Sequence, residues 1–296
     1  MSELPPLVFD RPLARRRLSR ALRTGFAGFL LERASAELAG RLDAVLRPFP
    51  LALDLGTPDG APAADLRRSG RVGQVVRLAP VTGPGTEVVG DEEALPFAPG
   101  QFDLVLSLLA LQGANDLPGV LAQARRALRP DGLLLACLLG GDTLTELRQT
   151  FALAETETVG GASPRVAPFA DVRSLGGLLQ RAGLALPVVD RDPVVVRYPN
   201  LFGLLADLRA TGLTNALVAR RRAPLRRATL MRAAVIYAER FAEADGRLRA
   251  TFEFVWLSGW APHESQQTPL RPGSAKVRLA DALGVAELGA GEAAGG

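Results

Sequence analysis

A mainly parallel, seven-stranded α/β sheet with helices on both faces is the fold class the sequence predicts, on three observations. Seven short apolar runs lie at 51–56, 74–78, 87–89, 102–111, 133–139, 193–198 and 250–257, lengths suited to buried strands. Most are separated by loops or by Leu- and Ala-rich stretches whose apolar residues recur near helical spacing. The first run, LALDLG, ends in Asp54, Leu55 and Gly56, a buried strand entering a tight turn. Right-handed crossovers then gather the strand C-termini at one edge, where ligands bind in open α/β sheets.

Taken in order, residues 12–47 read as mostly helical, with Phe26, Phe29, Leu30, Leu38, Leu42 and Val45 on the apolar side and Pro48 and Pro50 as the stop. Ala61–Arg68 reads as the first crossover helix and Leu117–Leu128 as a later one. Beyond residue 140, helices are expected at 143–158, 172–182, 201–219 and 225–244. The last two lie between the final strands and form a helical insertion at 199–249. The domain reading is a helical extension over 1–48, one α/β domain over 49–283 and a flexible tail over 284–296, which ends GAGEAAGG.

Composition narrows the function classes. Hydrophobic residues are 48% and charged residues 22%, so the chain can bury a core and is expected to fold. A formal charge of +4 with only 5% aromatics and interspersed acids gives no nucleic-acid track, and no nucleic-acid partner is expected. One cysteine, Cys137, and one histidine, His263, exclude Cys/His zinc sites and a two-histidine iron triad within this chain, so no metal site is expected. Cys137 lies in an apolar run and reads as a buried small hydrophobe. The N-terminal stretch lacks the apolar region of a secretory signal, and a cytoplasmic protein is expected. Arginines 11, 15, 16, 17, 20 and 23 sit among leucines and alanines there. They read either as a solvated helix face or as a surface for a membrane or an acidic partner.

The order DLG, DEEALPF, FDLVLS and RRALRPDGLLL over residues 50–140 resembles the class I S-adenosylmethionine (SAM) methyltransferases, a Rossmann-like fold. The segments GGASPRVAPFADVRSLGGLLQRAGLALPVVD and ATFEFVWLSGWAPHESQQTPLRPGSA, with FDR at 9–11, are similar to the family of the mitochondrial complex I assembly factor 5 and its bacterial relatives. That resemblance implies SAM as cofactor, methylation as the reaction class and a protein partner of the respiratory complex I type, with peripheral membrane contact through the basic N-terminus. One eukaryotic member of the family is associated with arginine hydroxylation.

The resemblance also assigns residues. The fold's first strand ends in a pattern like D/E-x-G-x-G-x-G, whose glycines let backbone amides approach the cofactor. Asp54, Gly56 and Gly60 match it, but Pro58 replaces the middle glycine and removes an amide donor. The carboxylate that accepts the ribose hydroxyls is replaced by Ala79, a loss on the order of 1.5 to 3 kcal/mol of binding. Asp91 and Glu92 match the loop that recognises the adenine amino group. On the substrate or partner side stand Gln112, where the family carries histidine, Arg165 in the Ser-Pro-Arg loop, and Trp260 and His263 in the C-terminal motif. Gln112 can donate and accept hydrogen bonds but cannot shuttle protons near neutral pH. No catalytic base is assigned.

Overall fold

The computed structural model describes residues 7–267; the tail expected at 284–296 lies outside them. The chain divides into two compact units, Met1–Pro262 and His263–Gly296.

The first unit holds a seven-stranded open sheet in the order β3-β2-β1-β4-β5-β7-β6. The strands are β1 Phe49–Leu55, β2 Val72–Ala79, β3 Val88–Val89, β4 Phe102–Leu108, β5 Leu128–Leu139, β6 Ala185–Tyr198 and β7 Leu248–Trp260. β1 to β5 pair in parallel, whereas β7 runs antiparallel to both of its neighbours. Alternate residues serve opposite faces, as the pleat requires. Leu133, Leu135, Cys137 and Leu139 of β5 join one apolar core, and Leu134, Ala136 and Leu138 join the other. Cys137 is buried, as expected.

Helices α1 Arg11–Thr24 and α2 Phe29–Asp43 precede the sheet. The helical stretch expected over 12–47 breaks at Gly25, whose φ of 105° ends α1. Asp10 caps α1 by accepting from the Leu13 amide at 3.0 Å, with Pro12 in the first turn. α2 buries Leu30, Leu31, Ala34, Leu38 and Leu42 on the first core. α3 Ala61–Arg68, α4 Leu117–Ala127, α5 Thr145–Val159 and α6 Val172–Arg181 are the following helices. α4 and α6 cover the second core, and α5 covers the first.

The insertion contains α7 Leu201–Ala210 and α8 Arg227–Phe241. α7 stops well short of the expected residue 219 because Gly212 takes φ 77° against α1; a Cβ there would lie 3.1 Å from the Leu18 Cα. Residues 211–226 form a loop laid along the N-terminal segment: Asp10 N donates to Ala216 O at 2.8 Å and Val218 N to Val8 O at 2.9 Å. β6 begins eight residues earlier than the expected 193–198. Pro187, Asp190, Asp192 and Pro193 disfavour a strand reading, yet an edge strand tolerates them because one side needs no partner.

Candidate active site

The C-terminal ends of β1, β2 and β4 open onto one cavity of about 580 Å3, within the usual size range of small-molecule sites. Gly56 and Pro58 after β1, Pro80 after β2, Glu92, and Leu109 to Gly113 after β4 form one part of its lining. Residues of α1, α5, α7, the 165–169 segment and the 211–216 loop form the rest.

Gly56 has φ 76°, and a Cβ there would sit 2.8 Å from Glu92 Cγ and 3.2 Å from Ala110 Cβ. Only glycine fits this turn between strand and cavity. Gly60 does a different job: a Cβ there would strike Pro84 O at 2.2 Å, so it lets the 81–86 loop close on the start of α3, and it does not line the cavity. Asp54 is also away from the cavity. It is fully buried, with Arg77 Nε at 3.2 Å from its Oδ2, and burial pushes its pKa up to about 6 against the opposing effects of Thr57 and Arg77. Asp54 and Gly60, both expected at the cofactor, thus lie outside the cavity lining.

The acidic loop is clamped by the N-terminal helix. Arg11 Nη2 lies 2.6 Å from Asp91 Oδ1 and also pairs with Glu92, while Nη1 lies 3.2 Å from Glu93. Arg15 pairs with the other oxygen of Asp91. Burial raises the Asp91 pKa, but the Glu93 amide and the two arginines outweigh it and hold the carboxyl below its ordinary range. Asn115 accepts from the amides of Val8 and Phe9 at 2.9 and 2.8 Å, pinning the start of this segment. Glu92 lines the cavity and Asp91 stands behind it.

Gln112 lines the cavity; its Nε2 donates to Leu109 O at 2.7 Å, and its Oε1 is buried without a hydrogen-bond partner among the described residues. Arg165 also lines it, held by the buried Glu155, which accepts from Arg165 Nε at 2.9 Å and from the Ser163 amide at 2.7 Å. Trp260 is elsewhere. Because β7 is antiparallel, its end pairs with Leu133 and Ala185 at the edge opposite the cavity, and the Arg47 guanidinium covers the ring. Expected on the substrate or partner side, Trp260 lies outside the cavity lining. His263 opens the second unit, where it is exposed and its Nδ1 meets Ser265 Oγ at 2.7 Å.

Sequence reasoning missed that Arg11, Arg15 and Arg17 line the cavity, since an arginine run reads as a solvated face. The available signal was the i, i+4 spacing of Arg11 and Arg15, which puts both on one side of a helix facing DEE at 91–93.

The cavity's donor set fits the cofactor implied by the resemblance in two respects. The Gly56 turn is a cradle that a side chain would fill, and Glu92 presents a carboxylate to the same space. The ribose position offers nothing comparable: Ala79 is buried, and its neighbour Pro80 reaches the cavity.

A family described as a methyltransferase domain matches residues 53–136. The chain is 38% identical to the mitochondrial arginine-hydroxylase NDUFAF5 of Danio rerio, over 95% of this chain and 91% of that one. It is 40% identical to the human protein of that name, over 93% and 83%. It is also 34% identical to a malonyl-[acyl-carrier protein] O-methyltransferase of Xylella fastidiosa, over 88% and 91%. Among solved structures, the YcgJ protein of Bacillus subtilis aligns with a TM-score of 0.51 at 14% identity, over 78% of this chain and 99% of that one, which shows the shared fold. With the strand order, the single antiparallel strand and 38% identity over nearly the full length in agreement, the chain belongs to the NDUFAF5 family within the class I SAM-dependent methyltransferases.

Proposed function

We propose that the cavity binds SAM and that the protein is a methyltransferase whose acceptor comes from a protein partner of the respiratory complex I type. One observation carries this reading: Gly56, Glu92 and Gln112 line the same cavity as residues of α1, α5 and α7, so a cofactor half and an acceptor half are contiguous. When bound, the cofactor supplies an electrophilic methyl group. Gly56 keeps the floor open to it, Glu92 is the carboxylate available to its polar end, and Gln112 and Arg165 stand ready for the acceptor. Catalysis then rests on holding the acceptor in line and excluding water. An arginine hydroxylation resting on an iron triad with two histidines finds no such pair in this chain.

A second reading, an assembly factor with weakened cofactor affinity, is favoured by the buried Ala79 and by Arg11 on Glu92. In either case we read the protein as cytoplasmic. Arg16, Arg20 and Arg23, the exposed arginines of α1, offer a peripheral contact to an anionic membrane face. No helix among the described residues is long and apolar enough to cross a membrane.

Calorimetric titration with SAM and S-adenosylhomocysteine separates the two readings, using the native chain beside a Pro58→Gly, Ala79→Asp double variant. Micromolar binding by the native chain supports the enzyme. Binding by the double variant alone supports the assembly factor, and binding by neither removes the cofactor from the account.

A further inference from the structure

We infer that the stretch 221–227, where the 211–226 loop runs into α8 at the rim of the cavity, is a docking surface for an acidic segment of a protein partner, with Arg221, Arg222, Arg226 and Arg227 as the contacts. This surface rests on the protein acceptor proposed above and names the chemistry by which that protein is held. Between Asp207 and Glu239 the chain carries seven arginines and no acidic residue. The four named side chains are all exposed, and they make no ion pair or hydrogen bond among the described residues. The arginines on either side are taken: Arg220 pairs with Asp10 at 3.0 Å and Arg232 with Glu157 at 2.5 Å. Exposed arginines elsewhere find an acid too, as Arg33 does in Asp192, Arg67 in Glu87 and Arg197 in Glu243. Others that do not, Arg126, Arg173, Arg181 and Arg247, are spread over α4, α6 and the turn before β7. Four unpaired guanidinium groups so close in the chain repel one another, and carboxylates matched to their planar donors offset that repulsion.

The start of α8 points the same way. Arg226 stands at its N-cap, where its side chain caps nothing, and the first turn holds no acid. Two arginines there oppose the helix dipole, at a place where stability favours Asp, Asn, Ser or Thr. The backbone beneath is anchored. Asn215 Nδ2 donates to Pro164 O at 2.7 Å, and the hydroxyls of Thr229 and Thr158 lie 2.8 Å apart. The arginines therefore stand on a fixed frame, which lowers the ordering cost of binding an extended partner. Leu225 lines the cavity, as do Leu213 to Ala216, so a segment held by the arginines lies beside the acceptor half.

A bilayer fits this surface less well than a protein does. A helix that lies in a membrane needs a free apolar face, whereas Ala233, Ile236 and Tyr237 of α8 are buried in the first core. Met231 and Val235 are its exposed large apolar side chains, enough for a small apolar contact beside the charges.

Fluorescence anisotropy on the full chain tests the surface with labelled peptides of one length, alternating glycine with glutamate, glutamine or lysine. The glutamate peptide is expected to bind best. Replacing Arg221, Arg222, Arg226 and Arg227 together by Gln should weaken it by about tenfold, the combined effect of four exposed charge contacts. A variant with Arg126, Arg173, Arg181 and Arg247 replaced by Gln, matched in net charge, should bind it as the native chain does. Replacing the four loop arginines by Glu should turn the preference to the lysine peptide, a gain that a misfolded chain would not show. Vesicles of equal parts phosphatidylcholine and phosphatidylglycerol should sediment the native chain and the Gln loop variant alike. Glutamate binding no better than glutamine, a loop variant that keeps its affinity, a matched variant that loses as much, or vesicle binding lost with the loop arginines each overturns the inference. S-adenosylhomocysteine titrated into the same samples reads the cofactor half separately. Peptide docking without its binding leaves the surface standing and removes the proposed transfer, and the converse pattern does the reverse.

Discussion

Arg77 Nε lies 3.2 Å from Asp54 Oδ2, and neither side chain reaches solvent. The rest of the guanidinium ties two loops together: Nη2 donates to Thr57 O at 2.5 Å and Nη1 to Thr86 Oγ1 at 2.7 Å. Asp54 thus braces the base of the Gly56 turn from beneath. Removing one partner strands a buried charge, so Arg77→Met is expected to cost about 3 to 5 kcal/mol in urea unfolding. Removing both, with Asp54→Asn and Arg77→Met together, should cost clearly less than the sum of the singles. Additive losses would mean the pair is not a unit.

The same aspartate makes stability depend on pH in an uncommon direction. Its folded pKa of about 6 stands above the ordinary 3.8, because burial outweighs Thr57 and Arg77. Between those values the folded chain holds a proton that the unfolded chain releases, so this contribution grows as pH falls and is lost as pH rises through 6. The two values differ by the equivalent of about 3 kcal/mol. Unfolding free energies of the native chain and Asp54→Asn should converge or cross between pH 7 and pH 4, with the native chain gaining. Parallel curves would place Asp54 at its ordinary pKa.

Arg11 joins α1 to a loop 80 residues away, with its side chain 16% exposed and that of Glu92 8%. At that burial the pair is worth more than a surface bridge, and a double-mutant cycle with Arg11→Met and Glu92→Gln should give a coupling of about 1 to 3 kcal/mol. Tryptic cleavage within α1 should accelerate in Arg11→Met, since α1 loses its hold on the 91–93 loop. An unchanged cleavage rate would show that Asn115 and the 211–218 loop suffice to hold it.

What the sequence made legible was local. The sheet could be read because each strand is an apolar run, and α3 at Ala61–Arg68 because its start and stop lie next to each other. Gly56 could be read because a turn after a buried strand needs it. The arginines could not, since the partners of Arg11 and Arg17 lie 80 and 198 residues away and leave no mark on the local pattern. Arg77 did leave one, as a lone cation in the apolar stretch VVRLA, where only a buried partner makes the residue tolerable. The place of Trp260 could not be read either, because an antiparallel strand delivers its end to the edge opposite the cavity and only the sheet order reveals it.

Glu155, too, has a role that its local pattern does not show. It lies buried on α5 and gathers Ser163 and Arg165, which sets the 163–169 segment against the cavity. Burial pushes its pKa up, but Arg165 and Ser163 outweigh this and hold the carboxyl below its ordinary 4.5. Its contribution is therefore present above that value and fades as pH falls through the lowered pKa. Glu155→Gln keeps the shape and removes the charge, so the loss should be on the order of 1 to 3 kcal/mol, with faster amide exchange at Ser163. If exchange accelerates at Ser163 and Arg165 but not along α5, the carboxylate anchors the loop and the helix stands without it. If α5 itself loosens, Glu155 is a core residue first, and the position of Arg165 in the cavity follows from the packing of Phe151 beneath its guanidinium.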